Sequence, residues 1–233
     1  MLEKMAAHRH GPSPAMVLFD IDGTLIRRAG PHHREALVEA VRHVTGLETT
    51  TEHIPVQGML DPKILEMMLS DAGAKAARIR AWMPELVEAA ERIYVRKCPG
   101  SLAKFVCPGV RGLLHRLERR RIPMGLVTGN LTRIGWTKME RAGLKRHFLF
   151  GAFAEQAPDR AGLVRIALGR PRRASQVWLV GDHQNDVRAA QANGIRSLAV
   201  ATGLSSRDEL AACAPDLVVD DLRTLRMETL FGS

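Results

Sequence analysis

The sequence predicts an α/β fold: a doubly wound parallel sheet with a helical segment inserted after its first strand. Three observations predict it. Short apolar runs alternate with helical stretches through residues 108–233, the pattern that right-handed crossovers turn into a parallel sheet. A separate apolar run, MVLFD at 16–20, stands ahead of that series. The stretch between them has helical periodicity and no convincing strand.

The elements follow in order. MVLFD reads as a buried strand whose carboxyl end carries polar chemistry. REALVEAVRHV, PKILEMMLSDAG and PELVEAAERIYV read as helices, bracketed by the turn signals Gly30-Pro31 and Cys107-Pro108-Gly109. A helix is expected over 109–120, a strand over 122–127, a helix from about 131, a strand near 148–152 and a helix from about 159. WLVGD at 178–182 reads as a strand, 184–193 as a helix and 197–200 as a strand. Ser206 with Glu209 spells a capping box for the next helix, and LVV at 217–219 ends the series. The simplest division is a core of residues 1–26 and 108–233, with a helical insert over 27–107.

A chain of 233 residues suits one large domain carrying a smaller insert. Hydrophobic residues at 45% and charged residues at 25% are globular proportions and argue against disorder. No apolar run reaches the roughly 20 residues of a membrane span, and MLEKMAAHRHGPSPAM lacks the apolar stretch of a signal peptide. Cys98, Cys107 and Cys213 are odd in number and lack metal-type spacing. Reduced thiols in a cytoplasmic protein are therefore expected.

The 34 basic and 25 acidic residues give a net charge of +9. That balance favours anionic partners. The arginines cluster at 119–121, at 170–173 and at Arg27-Arg28. Solvated faces and helix C-termini account for such clusters. With 4% aromatic residues and a single Tyr, a base-stacking platform for nucleic acid is not expected.

Ligands of an open parallel sheet bind at the carboxyl ends of its strands. Three expected strands end in polar residues there: Asp20-Ile21-Asp22-Gly23-Thr24, Thr128-Gly129-Asn130 and Gly181-Asp182, the last with Asp186 following. Alternate residues of extended backbone face one way, so Asp20 and Asp22 can address one ligand. Two close carboxylates repel, so a cation lies between them or one holds a proton. Asp182 and Asp186 stand four apart, on one face of a helix start, and with Asp20 form an oxygen set suited to Mg²⁺. The Thr128 hydroxyl and the free N–H groups of Gly129 and Asn130 suit an anion.

With these motifs in place, the chain resembles the haloacid dehalogenase (HAD) superfamily of hydrolases. Asp20-Ile21-Asp22-Gly23-Thr24-Leu25 matches its DxDGT(L) motif, Thr128-Gly129-Asn130 its second motif, and Gly181-Asp182-His183-Gln184-Asn185-Asp186 its GDxxxD motif. The insert falls where members with a C1-type helical cap carry theirs. Phosphoglycolate-phosphatase-like members are the nearest in pattern. The resemblance implies a HAD-like Rossmannoid core with an inserted α-helical cap domain, and a phosphatase acting on a small phosphorylated metabolite.

It implies that Asp20 is the nucleophile that becomes an aspartyl-phosphate, and that Asp22 protonates the leaving oxygen and then activates water. Asp20, the main-chain carbonyl of Asp22 and Asp182 are implied to hold Mg²⁺, with Asp186 in or behind that shell. Thr128, Gly129 and Asn130 are implied to bind the phosphoryl oxygens. The family's remaining cation is usually a lysine. No Lys-Pro loop precedes the helix near 159, so Arg160 takes the assignment. Lys138, two turns into the helix after Asn130, is expected to point away from the site.

Gln57-Gly58-Met59-Leu60-Asp61 resembles the substrate-reading turn of the cap, with Leu60 where relatives carry Thr. Gly58, Arg27, His32 and His33 are candidates to face the leaving group, and His183 adjoins a metal ligand. A phosphomutase of the same superfamily, a basic nucleic-acid-binding module and a catalytically silent member are the competing readings. A phosphonate-cleaving member would need a cap lysine, for which Lys63 is the formal candidate. Dehalogenating members lack the acid at the position of Asp22. A monomer or homodimer is expected, without membrane attachment.

Overall fold

The computed structural model describes residues 15–27, 29–169 and 174–232. Arg28 and the arginine cluster at 170–173 lie outside the described residues. The strands are β1 (Ala15–Phe19), β2 (Met124–Val127), β3 (Phe150–Ala152), β4 (Gln176–Gly181), β5 (Arg196–Val200) and β6 (Leu217–Val219). All pair in parallel, in the order β3-β2-β1-β4-β5-β6. Strands β2 and β3 extend the sheet to one side of β1, and β4 to β6 to the other. The winding therefore reverses between β1 and β4, and a crevice opens at their carboxyl ends.

The period-two alternation of β1 distributes the core. Val17 and Phe19 join the cluster that includes Val110, Leu113, Leu114 and Leu117 of helix α4 (Val110–Arg119) and Ile134 and Met139 of α5 (Thr132–Arg141). Met16 and Leu18 join Leu163, Val164 and Ala167 of α6 (Arg160–Leu168) and Ala189 and Ala190 of α7 (Gln184–Ala192). Both faces of β1 are thus covered, which explains its unbroken apolar sequence. Two short helices, α8 (Arg207–Ala211) and α9 (Met227–Phe231), finish the chain. The expected capping box is present: Ser206 Oγ accepts from the Glu209 amide at 3.2 Å, and Glu209 Oε2 accepts from the Ser206 amide at 2.7 Å.

The insert consists of α1 (His32–Thr45), α2 (Asp61–Asp71) and α3 (Ala76–Lys97). Its periodicity predicts the third helix only from Pro84, yet α3 begins at Ala76 and runs through that proline. Pro84 forgoes one backbone bond inside the helix, while Ile79, Leu86, Ala90 and Ile93 are buried on either side of it. The insert shares the core cluster of Val17 and Phe19 through Leu37, Val41, Leu65 and Leu69.

Expected boundaries shift by one or two residues. Strand β1 ends at Phe19, and Asp20 follows it, still tied to the sheet by its amide, which donates to the Val180 carbonyl at 2.9 Å. Likewise β4 ends at Gly181, leaving Asp182 just beyond. Among the described residues, no helix is long and apolar enough to cross a membrane. Cys98 and Cys107 are buried, Cys213 is half-buried, and all three are free thiols.

Candidate active site

The strand ends beside the reversal carry the chemistry. Asp20, Asp22, Thr128, Gly129, Asn130, Arg160 and Asp182 all line one cavity of about 560 Å³ between the sheet and the insert. Since β1 pairs directly with both β2 and β4, the motifs that follow those strands become neighbours although more than 150 residues separate the first from the last.

Asp20, Asp182 and Asp186 each offer an oxygen within 4.8 Å of the others, and all three are buried. Burial and the neighbouring Asp20 and Asp186 charges push the Asp182 carboxyl well above its ordinary value. Burial likewise lifts Asp186 to about 7, against the opposing pull of Arg160. Such an excess of buried negative charge fits a divalent cation, and the all-oxygen donor set suits Mg²⁺. Thr24 orients Asp182, its Oγ1 donating to Oδ1 at 3.0 Å.

Arg160, the first residue of α6, reaches into this cluster. Its Nη1 lies 3.0 Å from Asp20 Oδ1 and 2.6 Å from Asp186 Oδ1, with the side chain 6% exposed. Burial opposes its charge, but Asp186 and Asp20 outweigh that and raise its pKa. Its Nε is buried without a partner. Asp159 caps the helix by accepting from the Gly162 amide at 2.7 Å, which fixes the backbone from which Arg160 departs.

Asp22 is held differently. Asn130 Nδ2 donates to its Oδ2 at 2.8 Å, and Lys138 Nζ lies 2.7 and 2.6 Å from its two oxygens. Partial desolvation beside the insert would raise the Asp22 pKa, but Lys138 and the hydrogen bonds from Lys138 and Asn130 together hold it below the usual carboxylate value. The expectation that Lys138 points away is therefore corrected. Its side chain leans toward the N-terminus of α5, as helical side chains do, and a four-carbon stem spans the two turns back to Asn130 Oδ1 at 2.6 Å.

Thr128 Oγ1 is fully buried and accepts from the Asn130 amide and from Asn130 Nδ2 at 3.3 and 2.6 Å. A Cβ on Gly129 would fall 2.2 Å from the Met59 carbonyl oxygen, so only glycine admits the insert this close. Gly58, at φ +62°, faces His183 and its carbonyl accepts from Asn185 Nδ2 at 2.9 Å. Burial and Arg160 lower the His183 pKa.

The cap candidates divide. Arg27 and His32 line the cavity, whereas Lys63 is exposed and bonded to Glu66, which removes the residue that phosphonate cleavage would require. His33 is drawn into the polar network through Lys138 and Asp61. Sequence reasoning missed the weight of Asp61, which is 2% exposed and accepts from the Leu131 amide at 2.9 Å. It also missed Glu91, which accepts from the Arg133 amide at 2.6 Å. Their signal was an acid before Pro62 at a helix start and an acid on the buried side of α3.

Known proteins resemble the chain in sequence and in fold. A phosphoglycolate phosphatase of Pseudomonas syringae pv. syringae is 29% identical over 223 residues, covering 92% of this chain and 79% of the relative. One from Chromobacterium violaceum is 28% identical, covering 90% of this chain and 93% of the relative. In fold, the chain is similar to a β-phosphoglucomutase of Clostridium difficile, with a TM-score of 0.70 at 18% identity over 91% of this chain and 93% of that one. It is also similar to CbbY from Rhodobacter sphaeroides, with a TM-score of 0.69 at 20% identity over 94% and 99% of the two chains. The model of the haloacid dehalogenase-like hydrolase family matches residues 15–194, and the chain belongs to that family.

Proposed function

We propose that this protein is a Mg²⁺-dependent phosphatase that hydrolyses a small phosphorylated metabolite through an aspartyl-phosphate on Asp20. The observation that carries the reading is the division of labour between Asp20 and Asp22. Asp20 sits among Asp182, Asp186 and Arg160, while Asp22 sits apart with Asn130 and Lys138. Two carboxylates in unlike surroundings suit a nucleophile and an acid–base group. The similar phosphoglycolate phosphatases support a phosphate monoester as substrate.

In this reading Asp20, the main-chain carbonyl of Asp22, Asp182 and Asp186 hold Mg²⁺. When bound, the ion offsets the carboxylate charges and neutralises the phosphate. Arg160 keeps Asp20 oriented through Nη1, and its Nη2 lies beside Gly129 at the phosphoryl end of the cavity. The Thr128 hydroxyl already accepts twice and retains its proton for a phosphoryl oxygen. The Gly129 amide adds a second donor. These groups stabilise charge spread over the equatorial oxygens.

Asp20 Oδ attacks phosphorus as the bond to the leaving oxygen breaks. Arrival of the dianionic ester favours protonation of Asp22, which then passes that proton to the leaving oxygen. The resulting carboxylate takes a proton from water as the water attacks the aspartyl-phosphate, and phosphate departs. The insert acts as the cap, with Gly58, His32 and Arg27 facing the leaving group.

The test is phosphate release from a panel of small phosphate esters with and without chelator, beside Asp20→Asn. Release by the wild type, lost with chelator and in the variant, supports the reading. A folded protein that releases none, yet interconverts sugar phosphates, would assign it to the mutases.

A further inference from the structure

Lys138 is a buried lysine whose ammonium already has partners for all its protons. It donates to Asp22 at 2.6 and 2.7 Å and to Asn130 Oδ1 at 2.6 Å, and it faces His33 Nδ1 at 3.3 Å. Three donors and three partner residues leave none for a substrate anion. Asn130 grips the same carboxylate from its other side through Nδ2, at 2.8 Å. Asp22 is thereby fixed from two directions while its side chain stays 47% exposed toward the cavity.

The network continues into the insert. With His33 Nδ1 accepting from Lys138, Nε2 carries the ring proton and donates to Asp61 Oδ2 at 2.9 Å. That oxygen also accepts the Leu131 amide at 2.9 Å, and the Asp61 amide donates to the Gly129 carbonyl at 2.8 Å. The ring closes there, because Leu131 follows Asn130 in the chain. The Tyr94 ring of α3 packs beside both Lys138 and His33, with 5.8 Å from Nζ to its centroid and 5.7 Å between ring centroids.

We propose that Lys138 is a positioning residue for acid–base chemistry, holding the Asp22 carboxylate toward the leaving oxygen, and that His33 and Asp61 of the insert hold Lys138 in turn. This rests on the phosphatase reading above. In the step concerned, the leaving oxygen takes the electron pair of the broken P–O bond and the proton of Asp22. An alkoxide needs that proton, whereas p-nitrophenolate departs without it. A loss of Asp22 positioning is therefore selective for poor leaving groups, and general loss of structure is not.

The experiment compares kcat/KM, which reports steps through departure of the leaving group, for an alkyl phosphate and for p-nitrophenyl phosphate. Lys138→Met is expected to lose about a hundredfold on the alkyl ester and less than about fivefold on the aryl ester. His33→Phe, which leaves α5 intact, is expected to show the same selectivity at about tenfold, and it decides the matter if Lys138→Met does not fold. Equal losses on both esters, or no loss on either, overturn the positioning role while the phosphatase reading stands. A wild type that hydrolyses neither ester overturns both.

Discussion

Arg160 Nη1 lies 3.0 Å from Oδ1 of Asp20, inside a cluster that without it would bury three carboxylates and no cation. Arg160→Ala leaves that charge uncompensated. Breaking a buried pair from one side costs about 3–5 kcal/mol, so the urea midpoint should fall sharply. Phosphate release should fall about 10²- to 10³-fold, the usual loss on removal of one preorganised charge-stabilising group. Arg160→Lys should recover stability more fully than rate, because one ammonium can replace the single Nη1 that meets Asp20 and Asp186 but leaves the place of Nη2 beside Gly129 empty. Urea unfolding and steady-state kinetics of the two variants check this.

The same carboxylates set a pH dependence. Asp186 is raised from 3.8 to about 7 and Asp182 also lies well above 3.8. The folded protein therefore binds more protons than the unfolded chain between those values, and stability falls as pH rises through that window. Mg²⁺ requires the deprotonated forms, so its stabilising effect should grow over the same range. Thermal melts from about pH 5 to about pH 8 should show Tm falling with chelator present and a widening gap on addition of Mg²⁺. A chelated protein whose Tm rises steadily across this window would contradict the raised carboxylates.

Seating of the insert should depend on Asp61. Its carboxylate accepts from the Leu131 amide and from His33 in a buried position. Asp61→Ala leaves that amide without a partner and should cost about 1–3 kcal/mol in urea unfolding. Glu91→Gln is the contrasting case. Burial raises the Glu91 pKa, and a glutamine keeps the acceptor for the Arg133 amide without the buried charge, so stability should change by less than about 1 kcal/mol.

Gly58→Ala tests the turn that faces the site. At φ +62° an added Cβ carries a backbone penalty of about 1–2 kcal/mol, and it would fall 2.2 Å from His183 Nδ1. The expected result is a raised KM in a folded protein, partly relieved by adding His183→Ala. A double-mutant cycle in KM and in stability measures the coupling.

The parallel sheet was legible because β1, β2 and β4 are largely apolar runs, each followed directly by a polar residue: Asp20, Thr128 and Asp182. The motif acids were legible because Asp20 and Asp22 follow β1 and Asp182 follows β4, two strands that pair directly in the sheet. What sequence reasoning lost was reach and partnership. Lys138 lay in plain view eight residues after Asn130, but its direction depends on the lean of a long side chain along α5. Asp61 and Glu91 read as ordinary helix acids, since their partners, the Leu131 and Arg133 amides, stand 70 and 42 positions away. The early start of α3 was hidden by Pro84, whose lost hydrogen bond is outweighed by apolar packing on both sides.

The central claim is that Asp20 carries the phosphoryl group. Rapid acid quench during turnover of a hydrolysed ester, followed by peptide mass spectrometry, tests it most directly. Transient phosphate on the peptide containing Asp20, absent from Asp20→Asn, is the expected result. Full turnover with no phosphate on that peptide at any quench time, while Asp20→Asn retains activity, would contradict it.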